Sequence, residues 1–376
     1  MAKRAIFQEL DTAERPVARA GGIDAARRGS RGAVRIWLAV LFALVVAMIT
    51  VGGLTRLTDS GLAITEWRPV TGALPPMSDA AWEAEFELYR QIPEYRLQNV
   101  GMSLSEFKSI YWWEWGHRQL GRVIGLVWFL GFAGLLATRK MPPGWTGRLA
   151  MLGVLGGLQG AIGWWMVSSG LDGAMTDVAS YRLATHLGLA FAILSLIAWY
   201  AISMSRPEAA LLQARRLAEP RLMRAGAWLI GLIFLQVLIG ALVAGLDAGR
   251  NYTDWPLMAG EFLPPAMWEI APWWRNLFEN DGTVQFVHRL TGYAVLAASI
   301  HVWWRARRSA NRKTRVAFSG VMHMAIVQML LGIVTVLYGA PWYFAILHQF
   351  GAVILICLAV RARHRAKYPL PQSVRS

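Results

Sequence analysis

Eight long apolar blocks, parted by polar stretches, constrain this chain more than any other feature. Each is long enough to cross a bilayer core of ~30 Å, which takes ~20 residues of helix. They fall at Ala33–Leu54, Gln119–Thr138, Leu149–Ser168, Leu183–Met204, Ala225–Leu246, Phe286–Trp304, Val316–Tyr338 and Trp342–Val360. Backbone in lipid must satisfy its own hydrogen bonds, so the blocks read as the helices of an all-α membrane protein. Composition agrees: 16% of residues are charged, against roughly 25% in soluble domains. The single cysteine, Cys357, lies inside the last block. That excludes an intrachain disulfide, a cysteine zinc cluster and an iron–sulfur centre.

A net charge of +15 would point to nucleic acid in a soluble chain, but the placement of the charges points elsewhere. With the N-terminus inside, the inner segments hold 27 of the 38 basic residues and only 6 of the 23 acidic ones. Lysine and arginine are retained on the cytoplasmic side. The expected protein is therefore multi-pass in a bacterial inner membrane, with both termini cytoplasmic and no nucleic-acid partner. Residues 1–32 include Glu9, Asp11, Glu14 and Asp24. A transit peptide is acid-poor, so this segment reads as a cytoplasmic tail. Tryptophans gather where blocks meet outer loops, as at Trp112-Trp113, Trp164-Trp165 and Trp273-Trp274. An interfacial belt accounts for most of them.

The chain repeats itself. Gly52-Gly53-Leu54, Trp67-x-Pro69 and Leu74-Pro75-Pro76 are matched by Gly240-Ala241-Leu242, Trp255-Pro256 and Leu263-Pro264-Pro265. His117-Arg118-x-x-Gly121 is matched by His288-Arg289-x-x-Gly292, and Gln159-x-x-x-Gly163 by Gln328-x-x-x-Gly332. His186 pairs with His348. Four spans per unit is an even number, so both units enter the membrane the same way. The expected architecture is two parallel four-helix bundles related by a pseudo-twofold axis along the membrane normal. The expected division is a bundle at 33–204 with a long outer loop at 54–116, a linker at 205–224, a bundle at 225–362 and a tail at 363–376.

Ionisable residues inside a membrane default to a functional reading. His117, His186, His288 and His348 each open an even-numbered span at its outer end. Each has a small residue one turn deeper: Gly121, Ala190, Gly292 and Ala352. Two histidines per half, with no carboxylate or thiolate aligned beside them, are too few for zinc. Two imidazoles facing across a bundle suit haem iron; four merely satisfied interfacial histidines are the bland alternative. His301, His323 and His364 lie toward the other face and read as structural or solvated.

The halves differ at one position. Glu114 stands three residues before His117, and Gln285 three before His288. A carboxylate there moves protons or stabilises positive charge, and an amide cannot do the former. The plain alternative is an ion pair with Arg118 at i+4. Arg118, Arg122 and Arg289 are candidate partners for haem propionates, or snorkel to headgroups.

These residues resemble the haem A synthase family. The resemblance is carried by Val51-Gly-Gly-Leu-Thr-Arg-Leu-Thr-Asp-Ser-Gly-Leu62, Trp67-x-Pro69, Gly72-x-x-Pro75-Pro76, Asn99-x-x-Met102-x-x-x-Glu106-Phe-Lys108, Glu114-x-x-His117-Arg118, His186, His288-Arg289 and His348. It runs from the first span to the last. It implies oxidation of the C8 methyl of haem O to a formyl group, giving haem A for cytochrome c oxidase. His288 and His348 would ligate a haem b, His117 and His186 would flank the substrate haem O, and Glu114 would be the essential carboxylate. The first outer loop has no cysteine pair, which fits the proteobacterial and mitochondrial subclass. A haem O synthase and an electron donor are the implied partners, and a homo-oligomer is compatible with it. Two other readings compete. A transmembrane b-type cytochrome needs haems stacked across the bilayer, whereas these ligands share one depth. A haem transporter needs broken helices and polar residues at mid-membrane.

Overall fold

The computed structural model describes the backbone of residues 22–372 and the side chains of 30–372. The expected cytoplasmic tail therefore lies largely outside the described residues. Its last part, from Gly22, already belongs to the first helix. The order is α1 (Gly22–Leu57), α2 (Asp79–Arg90), α3 (Pro93–Leu97), α4 (Leu104–Ala137), α5 (Thr146–Val167), α6 (Ser180–Met204), α7 (Glu208–Arg215), α8 (Pro220–Gly245), α9 (Asn276–Glu279), α10 (Asp281–Ala306), α11 (Arg312–Leu337) and α12 (Trp342–Lys367). Among the described residues there is no strand, only one isolated bridge between Met258 and Glu261.

Seven of these helices are long and apolar enough to cross a membrane: α1, α4, α5, α6, α8, α11 and α12. The eighth expected span, Phe286–Trp304, falls on α10. That helix has the length, 26 residues, but not the apolar content. Gln285, His288, Arg289, Thr291, Ser299 and His301 dilute it.

Helix α1 packs on α4 and α6, and α5 closes against both α4 and α6. Helix α8 packs on α10 and α12, and α11 lies against both of those. The two groups meet where α6 and α1 touch α8 and α12. Their seam is mostly aliphatic, with Leu38, Leu194, Ile233 and Ile356 all fully buried. Polar ties are few. Gln349 donates to the Ile49 carbonyl at 2.6 Å, and Ser180 to that of Phe278 at 2.9 Å. Near the loop end, Arg56 donates to Asp247 at 2.8 Å and to Asp59 at 3.0 Å, and pairs with Asp177 at 3.6 Å.

Helix α4 starts fifteen residues before the expected Gln119. A capping box starts it there. Ser103 Oγ accepts from Glu106 N–H, and Glu106 Oε2 accepts from Ser103 N–H at 2.8 Å. This satisfies two of the free donors at a helix start. The extra turns bury Phe107 and Tyr111 among Trp82, Phe86 and Tyr89 of α2. The long first outer loop thus has its own aromatic core, with Phe86 and Phe107 stacked at 4.8 Å. His364 is fully buried in α12, between Trp199 and Tyr368 at ring distances of 4.9 Å, so it is structural.

Candidate functional site

The four histidines are seated alike. Each ring edge faces a glycine on a neighbouring helix. A Cβ added at Gly52, Gly163, Gly240 or Gly332 would stand 2.6, 2.9, 3.0 or 2.9 Å from Cε1 of His117, His186, His288 or His348. A side chain at Gly52, Gly163 or Gly332 would push the ring away, and one at Gly240 would need the ring to give by a few tenths of an ångström, so glycine is what lets the rings sit this close. The same seat therefore occurs twice in each half, and all four rings remain half-buried in the protein alone. The small residues one turn below the histidines also have a use that sequence reasoning did not foresee. Gly121 makes room for the Met48 methyl and Gly292 for the Gln236 amide, at 3.4 and 3.3 Å from an added Cβ.

His288 and His348 face one another with ring centroids 6.3 Å apart and planes at 75°. Two metal–imidazole bonds of ~2.0 Å, plus the distance of ~1.1 Å from each nitrogen to its ring centre, call for about 6 Å. The separation of the pair would leave room for an iron held between the two imidazoles.

Glu114 is 3% exposed. Its Oε2 accepts from the Ile64 N–H at 2.7 Å, and its Oε1 from Arg118 Nε and Nη2 at 2.9 and 2.6 Å. Arg118 also donates to the carbonyls of Ile64 and Glu66. The second half builds the same knot with an amide. Arg289 donates to Gln285 Oε1 at 3.2 Å, and both residues donate to the Tyr252 carbonyl. Glu114 and Gln285 therefore share the task of fastening an outer loop to a helix, Glu114 by accepting from a loop N–H and Gln285 by donating to a loop carbonyl. The ion pair with Arg118 foreseen as the plain alternative is present. The three arginines are engaged with loop carbonyls, Arg122 with those of Arg68 and Pro69. A cavity of about 250 Å³ opens beside Glu114's loop, lined by Arg68, Arg118, Arg122, Ile64 and Tyr111. Trp67 stacks on Trp164 at 5.8 Å, and Arg118 lies over the Trp164 ring at 5.8 Å.

Sequence reasoning passed over Glu94. It lies in α3, 3% exposed, and its Oε2 has no hydrogen-bond partner. Burial, then the negative charges of Asp177, Glu114 and Asp59, push its carboxyl up to about 8. An unfolded glutamate titrates near ~4.3. Between those values the folded chain holds a proton that the unfolded chain has lost. Stability of the loop core therefore falls as pH rises through this window and levels off above it. Glu94→Gln is expected to flatten that slope and to stabilise the loop core at pH 8 by on the order of a few kcal/mol. Tryptophan-fluorescence melts at pH 5 and pH 8 check it. A wild-type melt independent of pH would refute it.

The COX15-CtaA family model, described as cytochrome oxidase assembly protein, matches residues 35–360. This chain belongs to that family. The COX15-CtaA chain is 66% identical over 377 residues to the Heme A synthase of Dinoroseobacter shibae, covering 99% of this chain and 98% of that one. It is 62% identical to that of Ruegeria pomeroyi, with 99% of each covered. It is 57% identical to that of Paracoccus denitrificans, over 100% of this chain and 99% of the relative. With seven membrane-capable helices, this COX15-CtaA member is a multi-pass membrane protein.

Proposed function

We propose that the chain is a haem A synthase, an oxidoreductase that converts the C8 methyl of haem O to the formyl group of haem A. The observation that carries this reading is the near full-length identity of 57–66% to these Heme A synthases. Two successive hydroxylations of the methyl, each taking one dioxygen as oxidant with two donor electrons and two protons and releasing one water, give a geminal diol whose loss of water leaves the aldehyde. In this reading His117 and His186 flank the substrate haem O, and His288 and His348 hold a resident haem b. When bound, that haem b supplies one-electron transfer. His288 and His348 would hold it between their rings. Glu114, one helical turn before His117, holds or moves a proton at its carboxylate and stabilises positive charge that develops on the substrate. Arg118 keeps the carboxylate in place. Arg118 and Arg289 would bind the haem propionates, and the place of Arg118 in the cavity lining supports its share of that assignment. The first outer loop, with its aromatic core, keeps water from the reacting carbon.

The architecture that goes with this reading has α10 as an eighth span. It has two parallel bundles, 33–204 and 225–362, related by a pseudo-twofold axis, with both termini on the cytoplasmic side of a bacterial inner membrane. The fourfold histidine–glycine seat supports the duplication. A haem O synthase would hand over the substrate, and a separate donor would supply electrons. The test is extraction and chromatography of haems from membranes that make haem O. Expression of this chain should convert haem O to haem A. Membranes holding the folded protein and haem O but no haem A would overturn the reading, and haem B alone in the purified chain would favour the electron-carrying cytochrome.

A further inference from the structure

Three of the four imidazoles share a restraint that the fourth lacks. On the helix facing each ring, the residue four before the contacting glycine is Gln159 for His186, Gln236 for His288 and Gln328 for His348. Residues at i and i+4 are neighbours on one helix face, so the glycine admits the ring and the glutamine reaches it. Each amide nitrogen donates to the backbone carbonyl of its own histidine, at 3.0, 2.9 and 2.8 Å. Each also lies 3.2 Å from that ring's Nδ1. For His186 and His288 it is 3.3 and 3.4 Å from Nε2 as well. Near-equal reach to both ring nitrogens puts the amide over the ring face rather than in line with one lone pair. Such a contact resists rotation of the ring and leaves the in-plane lone pairs unspent. The Thr291 hydroxyl donates to Gln236 Oε1 and so steadies that amide in turn.

Facing His117, the residue four before Gly52 is Met48. Met48 lies against Gly121 as Gln236 lies against Gly292, so a thioether fills the slot of the amide and offers no donor. His117 Nδ1 is buried and has no hydrogen-bond partner.

We propose that Gln159, Gln236 and Gln328 are positioning residues that lock their imidazoles toward iron, and that Met48 leaves His117 as the unlocked ligand through which the N-terminal site exchanges its haem. This rests on the reading of His117 and His186 as flanking the substrate. A resident cofactor is best kept by two fixed ligands. A site that takes in substrate and gives up product needs one ligand that lets go. Contacts behind a metal ligand are typically worth 10–100-fold in affinity.

Exchange is measured without turnover. Purified chain carrying haem B and loaded with haem O is mixed with excess apomyoglobin in the absence of reductant, and the haems it retains are separated by chromatography over time. Met48→Gln is expected to slow loss of haem O about tenfold, and Gln159→Met to speed it by a similar factor. Gln328→Met is expected to make the otherwise retained haem B transferable and to broaden its low-spin electron paramagnetic resonance signal. Gln159→Met guards against a Met48→Gln chain that fails to fold. Haem O loss unchanged in both variants overturns the inference and leaves the proposed function standing. A wild-type chain that binds haem B but never haem O overturns both.

Discussion

Glu114→Gln is expected to cut haem A formation about 100-fold or more while the resident haem b stays bound. The magnitude is that of losing a positioned proton carrier or a buried charge at a reacting centre. The protein contains its own control for folding. Gln285 occupies the corresponding place before His288 and holds Arg289 and the Tyr252 carbonyl with an amide, so an amide at 114 retains an acceptor for Arg118 but gives up the one that meets the Ile64 N–H. The variant removes the charge and one loop hydrogen bond, so retention of haem b is the readout that separates lost chemistry from lost fold. Haem A would be measured by extraction from membranes and haem b by the reduced-state absorption of the purified chain. Undiminished haem A would reduce Glu114 to a fastener of the outer loop. The reciprocal change, Gln285→Glu, is expected to leave haem A output within about twofold of wild type, since only the first half carries the reaction.

His288→Ala and His348→Ala are the second pair of changes with large effects. Each deletes one side of a facing pair whose rings stand 6.3 Å apart, and each should lower bound haem b at least tenfold, the scale on which metal sites lose affinity when their ligation is disturbed. Because that haem would relay electrons, haem A should fall with it. His301→Ala and His323→Ala are the matching controls. His323 Nδ1 bonds the Ser319 carbonyl of its own helix at 2.8 Å, so its loss should leave absorption unchanged. A spectrum untouched by His288→Ala and His348→Ala together would remove the C-terminal haem.

Much of this was legible in the residues because lipid imposes a simple rule on sequence. The positions of seven of the eight expected helices followed from apolar length, and the repeated letters from spacings such as Leu54 to Trp67 and Leu242 to Trp255. The rule fails where a helix leaves the bilayer or lines a polar interior. The outer turns of α4 rest on Ser103, Glu106 and packing by Phe107 and Tyr111, which no hydropathy window registers. Helix α10 turns several polar side chains toward neighbouring elements, which keeps its composition below that of the seven membrane-capable helices. At the site, the histidines and Glu114 stood out as ionisable groups in costly places. The amide contacts did not. A neutral glutamine attracts no attention, and its meaning lies in standing one turn before a glycine that touches a ring on another helix. Gln159 and Gln328 were visible as repeated letters, while Gln236, facing Met48 across the repeat, was not. Glu94 escaped because its burial depends on the loop's own aromatic core.

The guanidinium of Arg56 has a mechanical consequence. It meets carboxylates from the turn after α1, from the connection before α6 and from the turn after α8, so it is a shared pivot of the two caps over the bundles. Any swing of one cap that admits a large planar molecule pulls against the other through this side chain, and the two halves are geared together at their loop end.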